Sequence, residues 1–375
     1  MEKKSRYKKT MIILLGILLV FLIPGFSPST CDLYADRVYP GLCDVITRVT
    51  SLIPVAIGEI IMILGIFTSI TAVILSILLI FLRKNKGFFR FAVGYLKVCS
   101  VIILCTVIIY IPTWYIPFRG TVLGMGSPNI RKDFTDEELE ELLYYIIDNG
   151  NAAAEEIEIS DDGKVIFRSS NEIESMAADA MARLGDEYTR LKGYYPKIKV
   201  AVCSDILNRM YIGGYNYPFT MEPTRNKYIN PLYLAILDAH EYAHHKGYYK
   251  ENEANFLSQL ALSRSDDPYL RLAAYMNMYS YVYSDYRSAH KEQYGDEEGP
   301  GFSERVKKIN EAAIEEERIL YESDEHLIDS LPVLDRFIKE TADAGWDVQG
   351  EILQENSYDG VVLLLLQHYY GELDR

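Results

Sequence analysis

Three long apolar segments near the amino terminus limit what this chain can fold into more than any other feature. They cover residues 11–27, 52–82 and 93–117 of a 375-residue sequence. A helix needs roughly 17–25 apolar residues to cross a hydrocarbon core of about 30 Å. Each segment is therefore predicted to be a transmembrane helix. Residues 1–117 are predicted to form a membrane region, and residues 118–375 a separate soluble domain.

The first apolar segment is short enough to be a signal peptide, but other features favour a retained span. Residues Pro24-Gly25-Phe26-Ser27-Pro28 contain no small-x-small cleavage site, and two further apolar segments follow. We therefore expect three crossings of the membrane.

Basic residues predict the orientation of these spans. Before the first segment lie Lys3, Lys4, Arg6, Lys8 and Lys9. Between the second and third lie Arg83, Lys84, Lys86 and Arg90. The 28–51 loop instead contains more aspartates than basic residues, namely Asp32, Asp36 and Asp44. The positive-inside rule then places the amino terminus in the cytoplasm and residues 118–375 outside it. Cys31 and Cys43 fall in the external loop, where they could form a disulfide.

The soluble domain contains the sequence His240-Glu241-Tyr242-Ala243-His244, which follows the pattern H-E-x-x-H. Asn230 is a good N-cap, Pro231 suits the first helical position, and Gly247 suits the residue after a helix. The motif is therefore predicted to lie on a helix that is capped at both ends. Two histidines four residues apart then lie on one face of it.

This spacing indicates a zinc site with hydrolytic chemistry. Both imidazoles can reach one Zn²⁺ at about 2.0–2.1 Å. Glu241 lies beside the metal, where it can take a proton from a water that attacks a carbonyl group. A catalytic zinc ion has three protein ligands and one open position, so one more ligand is required besides His240 and His244.

Glu251 and Glu253 are the two candidates for the third ligand. Both fall in the first turn of a second predicted helix, and spacing favours Glu251. Its neighbour one turn later, Asn255, would point the same way and could hydrogen-bond the free nitrogen of a ligand histidine. Glu253 remains the alternative.

Residues 240–256, H-E-Y-A-H-H-K-G-Y-Y-K-E-N-E-A-N-F, resemble a bacterial membrane-protein family known as domain of unknown function 3810. The H-E-x-x-H and E-x-x-A-N pair is also similar to metallopeptidases that cleave phage-immunity repressors. The resemblance implies a gluzincin, a zinc peptidase with a glutamate as third ligand, and by position that glutamate is Glu251. The segment 217–220 and the pair Ser357-Tyr358 also resemble this family.

The elements around the motif predict an α+β fold of the zincin type, with a small sheet followed by a mainly helical carboxyl-terminal lobe. Residues 197–203 and 208–217 have the alternation of strands, and helices follow from Pro268 onward. An edge strand within 208–220, including Tyr217 and Phe219, could hold a peptide by strand addition. Tyr358 is a candidate for stabilising the transition state, because it lies in a segment that resembles the family.

The net charge of -15 argues against a nucleic-acid partner. The expected partners are the membrane and a peptide or protein substrate, with Zn²⁺ as cofactor. Two functions fit these features. The first is a membrane-anchored zinc metallopeptidase whose general base is Glu241. The second is a non-catalytic zinc-binding envelope protein that acts in sensing or binding, which would have no need of Glu241.

Overall fold

The structure is a computed structural model that describes residues 2–126, 130–160, 164–290, 299–353 and 358–373; the side chains of residues 2–5, 327, 343–353 and 358–359 lie outside this description. The chain forms two compact units. The first consists of Met1–Gly120 together with Tyr217–Glu222, and the second of Thr121–Asn216 together with Pro223–Arg375.

The first unit is mainly helical in the region before Gly120 that the structure describes. Its helices are α1 (Glu2–Leu22), α2 (Pro28–Arg37), α3 (Tyr39–Thr50), α4 (Ile57–Leu82), α5 (Lys86–Tyr110) and α6 (Ile116–Phe118), with a 3-10 turn at Ile23–Phe26 and a π-helical segment at Ile111–Tyr115. Three helical stretches are long and apolar enough to cross a membrane: Arg6–Phe26, Ile57–Leu82 and Lys86–Phe118. Apolar side chains along them, such as Ile63 and Phe67, are exposed on the protein surface, as lipid-facing residues would be.

Two of the apolar helices begin at other residues than the predicted spans do. Helix α4, in the second predicted span, begins at Ile57 instead of residue 52, because the chain around Pro54 forms turns and bends. Helix α5, in the third predicted span, begins at Lys86 instead of residue 93. Its N-cap is Asn85, whose side chain accepts hydrogen bonds from the amides of Gly87 and Phe88.

The predicted loop 28–51 is two helices, α2 and α3. Ser27 begins α2 by accepting a hydrogen bond from the amide of Thr30. Cys31 and Cys43 are both buried, and the Cys31 thiol donates to the carbonyl oxygen of Pro24.

The second unit combines helices with a small sheet. Its helices are α7 (Asp136–Glu155), α8 (Ser170–Leu184), α9 (Ser204–Arg209), α10 (Pro231–His245), α11 (Glu251–Ser263), α12 (Pro268–Ala289), α13 (Glu304–Glu322), α14 (Pro332–Leu353) and α15 (Tyr358–Tyr369). The strands are β1 (Lys199–Val200), β2 (Gly214–Tyr217) and β3 (Glu222–Arg225). The strand order is β1-β3-β2, with Lys199 in parallel register with Thr224. β2 is therefore an edge strand.

The core of the second unit lies around α10. Helices α8, α11 and α12 pack against it, and α7 packs against α12. Tyr242 and Phe256 are among the largest fully buried side chains of this core. Burial of such aromatic groups supplies the main apolar stabilisation of a helical domain. The motif helix is thus a central element of the unit.

Local capping explains where the flanking helices begin. The spacing of Thr135 and Glu138 predicts a capping box at the start of α7, and the structure contains it. Asn171 and Glu174 have the same spacing and predict a second box, but α8 begins two residues earlier, with a box of Ser169 and Glu172. Glu174 instead turns inward and accepts a hydrogen bond from the amide of Ile198.

The strands are shorter than the alternating pattern predicts. Residues 204–209, partly predicted as strand, form α9, because Arg209 pairs with Asp205 one turn earlier and also with Asp329 and Asp335. These long-range ion pairs are a tertiary effect that overrides local pattern. The pair Asp162-Gly163 predicts a hairpin over residues 155–168. The structure shows a bridge between Ile159 and Val165, and residues 161–163 lie outside the description.

Candidate metal centre

Helix α10 is built in the way its capping residues predict. The side chain of Asn230 accepts a hydrogen bond from the amide of Tyr233 at 2.8 Å, and Pro231 occupies the first turn. Gly247 has a φ of 90°, in the left-handed region that glycine tolerates best, and so lets the chain leave the helix. After this turn the chain returns, and α11 begins at Glu251.

This return brings His240, His244 and Glu251 together. One potential ligand atom from each lies within 4.8 Å of the other two. Nε2 of His240 is 3.3 Å from Oε2 of Glu251, and Nε2 of His244 is 3.4 Å from Oε1. Two ligands of a tetrahedral zinc ion with bonds of about 2.0–2.1 Å lie roughly 3.3 Å apart. Two imidazole nitrogens and one carboxylate at these separations are a donor set that could hold a metal ion.

The second nitrogen of each histidine is held by an acceptor. Nδ1 of His240 is 2.9 Å from Oδ1 of Asn255, and Nδ1 of His244 is 2.8 Å from the carbonyl oxygen of Tyr248. Because both partners accept, each Nδ1 carries a hydrogen. The Nε2 atoms that face Glu251 are then the ones available to a metal ion.

Glu241 lies beside this cluster in a confined position. Its side chain is almost fully buried, and a Cβ built on Gly214 would come within 2.7 Å of Oε1. The other oxygen, Oε2, is buried without a hydrogen-bond partner among the described residues. A buried carboxylate oxygen without a partner is costly, so a water molecule or ligand that hydrogen-bonds this atom would lower that cost.

The pKa values in the cluster are strongly perturbed. Burial raises the pKa of Glu241 to about 8, with the charges of Glu251 and Asp238 adding to this effect against the opposing effect of His244. Burial lowers the pKa of His244, but the charge and hydrogen bond of Glu251 outweigh it and raise that pKa to about 9. A bound cation would displace the proton that this raised pKa keeps on His244.

A buried ion pair connects this helix to the sheet. Asp238, fully buried on α10, accepts a hydrogen bond from Arg225 at the end of β3, and Arg225 also lies 3.6 Å from Glu174. This fixes β3, and with it the neighbouring strand β2, beside the motif helix.

The remaining predicted site residues lie elsewhere. Glu253 is buried and points away from the cluster, where its Oε1 accepts a hydrogen bond from the amide of Leu123 at 2.7 Å. Tyr217 and Phe219, in the segment predicted to hold a peptide, have side chains that pack within the first unit, Tyr217 on Gly58 and Phe219 near Tyr110. The side chain of Tyr358 lies outside the described residues.

Two contributors to the site were not assigned a role from sequence. The Gly213-Gly214 pair signals a close approach, and the structure shows that Glu241 is the group approaching Gly214. The carbonyl oxygen of Tyr248 orients His244. The residue type at a position does not show which group its backbone carbonyl oxygen will contact, so this role could not be predicted.

Comparison with known proteins identifies the family. Neither the curated proteins nor the solved structures contain a match to this chain. A family model does match, over residues 34–330, a range that includes two of the three apolar helices and the whole metal cluster. The chain belongs to the family described as "Protein of unknown function (DUF3810)".

Proposed function

We propose that this chain is a membrane-anchored, zinc-dependent peptidase of the gluzincin type. His240, His244 and Glu251 would hold Zn²⁺, which supplies Lewis acidity to a water molecule and to the scissile carbonyl group. A compact sheet beside the motif helix and a helical lobe after it are compatible with a zincin-like domain.

The chain's own residues supply the proton transfers. Glu241 takes a proton from the attacking water and returns it to the leaving amine. Burial raises the pKa of Glu241, which makes the ionised carboxylate a stronger base than an exposed glutamate. Asn255 and the carbonyl oxygen of Tyr248 keep the two imidazoles in the ligand orientation.

One observation carries the proposal: Oε2 of Glu241 is buried without a partner among the described residues, next to three ligand atoms that could hold a metal ion. A zinc site with a purely structural role is closed by a fourth protein ligand and needs no such base. Among the described residues the cluster consists of three ligand residues, which leaves the fourth position for water or substrate.

The proposed location is the outer face of the cell membrane. It rests on three helices of spanning length and on basic residues at the amino terminus and between the second and third helices. The proposed substrate is a peptide or protein in that compartment.

Glu241→Gln tests the catalytic proposal. Glutamine keeps the shape but cannot accept the proton, so we expect the variant to retain zinc and to lose cleavage of a peptide library by about 10²–10⁴-fold. Glu253→Gln is a matched control, since its amide oxygen can still accept the Leu123 hydrogen bond; it should retain both zinc and cleavage. Unchanged cleavage by Glu241→Gln would exclude the mechanism. A zinc-loaded wild type that is silent on every peptide would favour the sensing or binding role.

A further inference from the structure

Arg225 is a buried arginine that connects three elements of the second unit. It is the last residue of β3. Its guanidinium group donates to Oδ2 of Asp238 on α10 and lies 3.6 Å from Oε2 of Glu174 on α8. Both of these carboxylates are buried as well. A planar guanidinium group can pair with two acceptors in a fixed geometry, so Arg225 holds the strand to two helices at once.

Main-chain hydrogen bonds extend this attachment across the sheet. The carbonyl oxygen of Arg225 accepts from the amide of Ala201, directly after β1, at 2.8 Å. The amide of Asn226 donates to the carbonyl oxygen of Gly213, directly before β2, at 2.7 Å. β3 lies between β1 and β2 in the sheet. The position of β3 therefore sets the position of the Gly213-Gly214 backbone.

The backbone held in this way is the one that contacts the general base. A Cβ on Gly214 would lie 2.7 Å from Oε1 of Glu241 and 2.9 Å from the carbonyl oxygen of Thr224 on β3. The Glu241 carboxylate therefore packs against Gly214 at the place where Gly214 also meets β3.

Helix geometry places the ion pair and the general base next to each other. Asp238 and Glu241 are three residues apart on α10, so their side chains lie on one face of the helix, about 5–6 Å apart at Cβ. The ion pair of Arg225 thus attaches the sheet to α10 within one turn of the base. A displacement of β3 after loss of this pair would change the space beside the Glu241 carboxylate.

We propose that Arg225 is a positioning residue for the reaction. Its pairing with Asp238 holds β3 against α10, and β3 in turn holds Gly214 against Glu241. This inference rests on the proposed peptidase function for its catalytic consequence. The attachment of the sheet to the helix does not depend on that function.

Arg225→Met tests the attachment in the full-length chain in lipid bilayers. Methionine cannot donate to Asp238, so we expect amide hydrogen exchange over residues 224–226 to become about tenfold or more faster. Arg305→Met is the matched control, because Arg305 donates to two main-chain carbonyl oxygens around the end of α7 instead of to the sheet or to α10. Its exchange over residues 224–226 should match the wild type. Zinc content should stay unchanged in both variants.

Asp238→Ala breaks the same ion pair from the helix side. It leaves Arg225 beside the carboxylate of Glu174, whereas Arg225→Met leaves two buried carboxylates without their counter-charge. Asp238→Ala therefore decides the question if Arg225→Met fails to fold, and it should also give faster exchange. In Asp238→Asn the amide oxygen can still accept from Arg225, so this variant should restore most of the wild-type exchange and rate.

Cleavage shows whether the attachment acts on the reaction. We expect Arg225→Met and Asp238→Ala to lower kcat about 10²-fold and to change KM less than about threefold, because the base is misplaced while metal and substrate still bind. If Arg225 acts through Gly214, adding Gly214→Ala to either variant should lower kcat little further. Independent effects would instead multiply to about 10⁴-fold.

The outcomes separate this proposal from the peptidase. Wild-type exchange in both Arg225→Met and Asp238→Ala would overturn the attachment, whatever the cleavage assays give. A wild type without zinc and without cleavage would overturn the peptidase, while faster exchange in the two variants would still support the attachment. Faster exchange with an unchanged kcat, or effects that multiply when Gly214→Ala is added, would refute the positioning role.

Discussion

At the scale of single residues, Gly214 and Glu241 make the contact on which the proposed chemistry most depends. A Cβ at position 214 would lie 2.7 Å from Oε1 of Glu241 and 2.9 Å from the carbonyl oxygen of Thr224. The backbone oxygen cannot move aside, so the carboxylate must. The absence of a side chain at this position therefore defines where the base lies.

Gly214→Ala is expected to lower kcat about 10²-fold, because it displaces the general base while leaving the metal ligands in place. Zinc affinity should match the wild type. Gly213→Ala is the control, since its Cβ would meet the flexible end of Leu237 at 3.2 Å instead of the base. A Gly214→Ala enzyme with a wild-type kcat would show that Gly214 does not confine Glu241 during the reaction.

Part of the candidate site could be predicted residue by residue. The four-residue spacing of His240 and His244 follows from helix geometry, and so does the placement of Asn255 one turn after Glu251. The orientation of His244 could not be predicted, because its partner is the carbonyl oxygen of Tyr248. Nor could the contact of Gly214 with Glu241, because it depends on how a strand packs against a helix.

At the scale of elements, the geometry of helix α11 gives different roles to the two glutamates that are alternative ligands in the sequence. Glu251 begins the helix and faces the histidines, whereas Glu253 is rotated away and accepts the amide of Leu123. Residues two apart on a helix differ by about 200° in direction, so they cannot both face the metal. The first turn of α11 therefore contributes one ligand and one structural contact.

Alanine substitutions of these two glutamates should have opposite effects. Glu251→Ala removes one of three ligands, so we expect most of the zinc to be lost with little loss of fold stability. Glu253→Ala should retain zinc but lower the free energy of unfolding by about 1–3 kcal/mol, because the amide of Leu123 loses its buried acceptor. Metal analysis with thermal unfolding of both variants checks this. Loss of zinc from Glu253→Ala instead would mean that the ligand assignment is wrong.

The start of an element was harder to predict than its existence. Thr135 and Glu138 gave the start of α7 because a capping box is a local signal. Helix α9 is not predicted from the sequence, and its last two residues fall in a predicted strand, because Arg209 is satisfied by Asp329 and Asp335, more than a hundred residues away. Interactions of that range have no local pattern.

At the scale of the whole molecule, the chain combines apolar helices of spanning length with a mainly helical second unit that contains the metal cluster. The three apolar helices could be predicted from composition, because long runs of apolar side chains are stable on the surface of a helix in lipid but not in water. The assignment of Tyr217–Glu222 to the first unit could not, since it depends on the tertiary contact between Glu222 and Gly58.

Zinc removal and return tests the central claim most directly. Zinc content and peptide cleavage would be measured on the same sample of the full-length chain in lipid bilayers, before and after treatment with a chelator. We predict about one zinc ion per chain, loss of cleavage on chelation, and recovery when an equimolar amount of zinc is added. Cleavage that persists in the metal-free chain, or a chain that takes up no zinc, would contradict the assignment of this protein as a zinc peptidase.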